Sequence, residues 1–230
     1  MVSKSPDYYL NGAVVLVDKP FGFTSFEIVK RIRGILKKKY ALDKIKVGHA
    51  GTLDPLASGL LVICTGKATK EIDQYLNDSK VYIGEGKFGY TTPSYDLETD
   101  ETPTDAPLPD SLSVVREFAK GFLGTVLQSP PLYSAIKIGG KRAYELARTG
   151  IQKRLEPRKI EIFKFDIINY KPPYFTFEVY CSKGTYIRSL VHDLGQNLGC
   201  GAYLSKLKRV KSGNFSLSDA ISYDQLESLL

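Results

Sequence analysis

Short apolar runs of strand length are interspersed with segments of helical periodicity, but the two never settle into strict strand–helix–strand alternation. A parallel sheet needs that alternation, because each crossover must return the chain to the same end of the sheet. The pattern therefore predicts an α+β chain with a mixed, largely antiparallel sheet flanked by helices. Residues 12–18 read as a buried strand, ended by the turn Lys19-Pro20-Phe21-Gly22. Thr24-Ser25-Phe26-Glu27 offers a capping box, and Ile28, Ile32, Ile35 and Leu36 follow at helical spacing. Leu60-Leu61-Val62-Ile63-Cys64 is a central strand. Further helices are expected over residues 69–76, after a Ser111 cap, over 187–198 with a stop at Gly199-Cys200-Gly201, and from about Ser218. Further strands are expected over 80–88, 158–169, 174–182 and 204–215. Residues 91–109, acidic and rich in proline and threonine, lack periodicity and read as a surface loop. Residues 128–133 and 137–150 read as an excursion from the main sheet.

At 230 residues the chain is long enough for a proper core. No apolar run approaches the roughly 18 residues of a membrane span, so no membrane association is expected. The first residues lack a signal-peptide core, and three widely spaced cysteines form no disulfide framework, so a reducing cytoplasm is the expected location. Two histidines leave little for a metal site, and none is expected. The net charge is +7, and its distribution says more than its size. Residues 30–46 carry eight bases against Asp43, residues 137–159 eight against Glu145 and Glu156, and residues 183–211 six against Asp193. Residues 94–110 carry six acids and no base. Separate basic stretches suit a polyanion laid across a folded surface, although a solvated basic face has the same composition.

The most informative stretch is Gly48-His49-Ala50-Gly51-Thr52-Leu53-Asp54-Pro55-Leu56-Ala57-Ser58-Gly59. Glycines and a proline bend the backbone around a single carboxylate, and Pro55 biases Asp54 toward an extended or turn conformation. A phosphate-binding loop is excluded because no Gly-Lys-Ser/Thr closes the segment. A Ser-His-Asp hydrolase is excluded by the lack of a nucleophile elbow.

Together with Asp18-Lys19-Pro20, Gly22 and Thr24-Ser25, this stretch resembles the TruB family of tRNA pseudouridine synthases. Further motifs follow in order: Tyr82, Gly89, Thr92 and Asp96, then Pro130-Pro131-Leu132-Tyr133-Ser134-Ala135-Ile136-Lys137 and Gly140-Lys141-Arg142 with Tyr144-Glu145, Ala147-Arg148 and Gly150. The series closes with Cys181-Ser182-Lys183-Gly184-Thr185-Tyr186-Ile187-Arg188, Asp193-Leu194-Gly195 and Leu198-Gly199-Cys200-Gly201-Ala202. The likeness runs from about Gly12 to Val210.

The resemblance implies the pseudouridine-synthase fold with an inserted RNA-clasping arm at roughly residues 128–152. It implies that the uridine at tRNA position 55, in the T loop, is isomerised to pseudouridine without a cofactor. Asp54 is then the nucleophile, with attack on sugar or base carbon left open, and Arg188 is the guanidinium that keeps it ionised. Tyr82 stacks on the everted base and is placed to handle a proton, and His49 enters the space the base has left. Tyr186 and Leu207 line the base pocket, and Lys19 and Pro20 shape its floor. Lys137, Lys141, Arg142 and Arg148 meet phosphates, which positions RNA without reading its sequence. The expected partner is the T arm of tRNA, bound by a monomer with no obligate protein partner.

The chain departs from the family pattern at Ala50, where threonine is common, and at Pro93 and Ser94, where aspartate and threonine are usual. Residues 1–230 are expected to form one catalytic domain without a C-terminal PUA module, since too few residues follow Leu207 for an independent domain of about 50. Three other readings compete: a non-catalytic RNA-binding module, a glycoside hydrolase using Asp54 with a second acid, and the same chemistry on another RNA.

Overall fold

The computed structural model describes residues 4–150 and 155–230. Residues 151 and 152 of the expected arm, and Lys153 and Arg154 of its basic stretch, lie outside the described residues. In chain order the principal elements are β1 (Val14–Lys19), α1 (Ser25–Lys39), β2 (Ala57–Thr65), β3 (Lys80–Phe88), α2 (Leu112–Lys120), β4 (Gly124–Gln128), β5 (Arg158–Lys171), β6 (Tyr174–Cys181), α3 (Ile187–Asn197) and β7 (Ala202–Ser212). The chain divides into two compact units, one ending at Tyr82 and resuming over Leu207–Leu230, the other spanning Ile83–Lys206.

In the first unit β2 is the central strand, and Leu60 through Thr65 are all buried. On one edge it pairs antiparallel with β1, from Val14 opposite Cys64 to Lys19 opposite Gly59. On the other, Leu207, Lys208 and Arg209 run parallel to Ala57, Ser58 and Gly59, and Val47–His49 pairs antiparallel farther along. The capping box forms as expected: Thr24 Oγ1 accepts from the Glu27 N–H, and the Thr24 N–H donates to Glu27 Oε2 at 2.7 Å. A cap of this type contributes about 1 kcal/mol. It starts α1 so that Ile28, Val29, Ile32 and Leu36 are buried.

In the second unit β5 pairs antiparallel with both β6 and β4. Strand β3 follows β6, and the first residues of β7 follow β3. Gly84 and Gly86 let two phenyl rings lie against β3: a Cβ there would sit 2.4 Å from Phe177 and 2.3 Å from Phe175. The ring of Phe175 then stacks on Phe88 at 4.2 Å. Antiparallel pairs dominate within each unit and helices flank the strands, as the sequence predicts.

Three expectations need correction. Residues 69–76 are a 3-10 turn, Gly66–Glu71, followed by a short helix, Ile72–Leu76. No helix runs on from Ser218, because Ile221 and Ser222 are taken up in parallel pairing with Val17 and Asp18 of β1. A four-residue helix forms only at Leu226–Leu229. Residues 91–109 are not a plain surface loop, since Thr92, Ser94 and Asp96 are buried. The excursion contains the hairpin Lys137–Ile138/Lys141–Arg142 and the helix Ala143–Arg148.

Candidate active site

The Asp54 loop hangs from the first unit by four separate bonds. The buried Ser25 hydroxyl, at the first turn of α1, donates to the Leu53 carbonyl at 3.1 Å and accepts from the Leu53 N–H at 2.9 Å. The Gly22 N–H donates to the Pro55 carbonyl at 2.8 Å. Arg209 Nη2 donates to the Gly51 carbonyl at 3.1 Å. Both residues next to Asp54 are thereby fixed through their own backbone. Asp54 itself is half-buried, and its carbonyl accepts from the Ala57 N–H at 3.0 Å, the turn that Pro55 favours.

Of the cations buried in the same unit, Lys19 and Arg209 interact with the loop. Lys19, fully buried at the end of β1, donates to the Phe23 carbonyl at 2.7 Å and the Pro20 carbonyl at 3.0 Å. Burial drives its pKa down to about 8, while the charge of Asp54 pulls it back up. The sequence placed Arg209 in a basic stretch suited to the surface. It is instead 1% exposed, because its Nε donates to the Leu60 carbonyl at 2.7 Å and its backbone lies against Gly59. His49 is half-buried, and burial, then the charge of Arg209, lower its pKa. Among the described residues its buried Nδ1 has no hydrogen-bond partner. Tyr82 is buried on β3, and Leu207, opposite Ala57, and Pro20 are half-buried.

The second unit holds the remaining expected residues. Arg188, buried in the first turn of α3, lies 3.5 Å from Asp96 through its Nε. Its other nitrogens donate to the Ser94 and Tyr133 carbonyls, each at 3.0 Å. Asp96, which the lack of periodicity put in a surface loop, is a buried partner of Arg188, and the ordered motif match was the one signal that singled it out. Tyr186 is half-buried and held by Gln128, whose amide accepts from the Tyr186 N–H at 2.8 Å and donates to its carbonyl at 3.0 Å. Lys137, Lys141 and Arg142 are exposed on the hairpin. Arg148 is exposed too, but it is paired with Glu98 of the acidic stretch at 2.7 Å.

Among the described residues no group of three or more His, Cys, Asp or Glu side chains is placed to hold a metal ion. None of the three cysteines, all buried, is in a disulfide. Among the described residues no helix is long and apolar enough to cross a membrane. What the first unit offers is a carboxylate on a loop stapled through its backbone, with the charges of the buried Lys19 and Arg209 close by, a group chemically capable of nucleophilic attack.

Comparison with known proteins gives consistent findings. The family model for the TruB family pseudouridylate synthase N-terminal domain matches residues 36–187, and that for the tRNA pseudouridylate synthase B C-terminal domain matches residues 188–230. The chain is 45% identical to tRNA pseudouridine synthase B of Clostridium kluyveri, over 94% of this chain and 72% of the relative. It is 45% identical to tRNA pseudouridine synthase B of Flavobacterium johnsoniae, over 98% of this chain and 99% of the relative. Among solved structures, a chain of a Cbf5-Nop10-Gar1 complex matches with a TM-score of 0.73 at 30% identity, over 98% of this chain and 56% of that one. A chain of an H/ACA RNP bound to a substrate RNA containing 2'-deoxyuridine matches with a TM-score of 0.69 at 27% identity, over 96% and 54%. This chain thus spans little more than half the length of those solved chains.

Proposed function

The chain belongs to the TruB family of pseudouridylate synthases, and we propose on that premise that Asp54 is the nucleophile with which it converts uridine 55 of the tRNA T loop to pseudouridine. The reaction breaks the N1–C1′ bond, turns the uracil and forms a C5–C1′ bond. The C5 proton is lost and N1 ends protonated, so the product is an isomer and no redox partner or nucleotide is consumed. The observation that carries this reading is the stapled loop: the backbone on either side of Asp54 is bonded to Ser25 and Gly22. A nucleophile held so firmly meets its target with little reorganisation.

In this reading Tyr82 stacks on the everted uracil, His49 occupies the vacated place in the RNA, and Tyr186 and Leu207 wall the base. Arg188 supplies the cation that a desolvated carboxylate needs. Lys19 and Pro20 form the floor. Lys137, Lys141, Arg142 and Arg148 position the RNA through phosphates, and the folded shape of the T arm carries recognition. The two units act as one catalytic domain, as a monomer, and buried cysteines without a disulfide fit a cytoplasmic site of action.

The test incubates recombinant protein with unmodified tRNA and maps pseudouridine by carbodiimide-dependent primer-extension stops. A lone stop in the T loop is expected. It should vanish in Asp54→Asn while RNA binding, read by band shift, is retained. Modification that survives in Asp54→Asn removes the assignment. An isolated T-arm hairpin should bind nearly as tightly as whole tRNA, and much tighter binding to whole tRNA counts against recognition by this arm alone.

A further inference from the structure

Two phenylalanines of the first unit stand out against the solvent. Phe21 is 62% exposed and Phe26 58%, higher than any other large apolar side chain of that unit among the described residues. Neither contributes to the core. Their neighbours in the chain, by contrast, are among the most constrained residues of the unit. Phe21 lies between Pro20, whose carbonyl is bonded to the buried Lys19 ammonium, and Gly22, whose N–H holds the Pro55 carbonyl. The following carbonyl of the turn, that of Phe23, also points inward to Lys19, and the Phe23 ring packs on Tyr223 at 4.9 Å. Phe26 follows Ser25, whose hydroxyl holds both backbone groups of Leu53. Each exposed ring is thus one residue from a staple of the Asp54 loop, and the backbone that presents it is already ordered.

We propose that Phe21 and Phe26 form a stacking platform beside the Asp54 loop that takes unpaired bases of the substrate RNA other than the target uridine. The inference rests on the RNA substrate proposed above. A rigidly presented ring loses little conformational freedom on binding. Stacking on a base is sequence-tolerant, because every base has a π face. Outside the pocket for the target uracil, the platform adds an apolar component to an interface of phosphate contacts. Continuity with the loop that holds the nucleophile argues for an RNA base as occupant rather than a second copy of the chain or a peptide.

The experiment measures binding of a T-arm hairpin in the Asp54→Asn background and turnover in the otherwise native protein, for Phe21→Ala, Phe26→Ala, Phe21→Leu and Phe21→Trp. Each alanine variant should weaken binding between about fivefold and a hundredfold and raise KM with kcat unchanged. The slope of log Kd against log salt should stay the same, since no phosphate contact is lost. Phe21→Trp should restore affinity, and Phe21→Leu, which keeps apolar bulk without a π face, should not. Hairpins with single abasic nucleotides identify the partner base: the Phe21→Ala loss should disappear on the hairpin lacking it. Unchanged binding in both alanine variants, full rescue by leucine, or losses equal on every abasic hairpin overturns the proposal. A failure of the catalytic reading shows separately, as pseudouridine still formed by Asp54→Asn.

Discussion

Lys19 is costly for a single residue: an ammonium with no exposed surface, satisfied by two carbonyls and sharing its surroundings with Arg209 and Asp54. Burial disfavours the charged form, so its pKa in the folded protein, about 8, lies below the ordinary lysine value of 10.5. Below pH 8 the side chain is protonated in both folded and unfolded chains, and the penalty for burying the charge is fully present. Above pH 10.5 it is neutral in both. Between the two, unfolding takes up a proton, so stability rises with pH across that window. The slope from this one group is at most about 1.4 kcal/mol per pH unit. The expected result is that urea midpoints of the native protein gain on those of Lys19→Met as pH is raised from 8 toward 10. Parallel curves for the two proteins refute it. Gly59 is a second residue without latitude. Its φ is +100°, and a Cβ would meet the Arg209 carbonyl oxygen at 2.3 Å and nitrogen at 2.8 Å. Both obstacles are backbone, so Gly59→Ala should destabilise by more than about 2 kcal/mol in urea titration.

At the scale of elements, the Asp54 loop, bent by its own glycines and Pro55, is held in place by helix α1, the turn after β1 and strand β7. Ser25→Ala removes one hydroxyl but leaves a buried N–H and a buried C=O of Leu53 without their partner. The expected cost is about 2 kcal/mol, read by chemical denaturation. Because the carbonyl and N–H precede the nucleophile directly, kcat should fall about tenfold with KM changed less; a variant that loses stability alone shows that the loop holds its shape without the staple. How much of this was legible follows from which signals are local. The capping box at Thr24, the apolar run of β2 and the bent segment around Asp54 are local, and the structure has them where the pattern puts them. Asp96 and Arg209 are not: an acid in an acidic stretch and an arginine in a basic one look solvated until pairing across the fold buries them. The last helix failed for a related reason. Helical propensity near Ser218 competes with sheet pairing of Ile221 to Val17, and nothing near Ser218 announces the strand it will meet.

Across the molecule the charges are segregated, and among the described residues the opposing sets meet in the buried Arg188–Asp96 pair and in one exposed pair. Arg148, on the helix after the arm hairpin, is paired with Glu98 of the acidic stretch at 2.7 Å, both side chains partly in solvent. Such a pair contributes no more than about 1 kcal/mol and weakens with salt. If Arg148 meets an RNA phosphate, as proposed, it must first give up Glu98, so the acid competes with RNA for the same guanidinium. Removing the acid should then tighten RNA binding up to about fivefold at low salt. Glu98→Gln also raises the net charge from +7 to +8, which favours any polyanion wherever the change is made. The two effects separate in a double-mutant cycle. The competitive part disappears when Arg148 is already alanine, whereas the general part persists in that background. Filter binding of a T-arm hairpin to the four proteins, at about 50 and about 200 mM salt, should show a gain from Glu98→Gln that requires Arg148 and shrinks at the higher salt. An equal gain with Arg148→Ala means that the pair merely decorates the surface and that the arm's phosphate contacts lie with Lys137, Lys141 and Arg142.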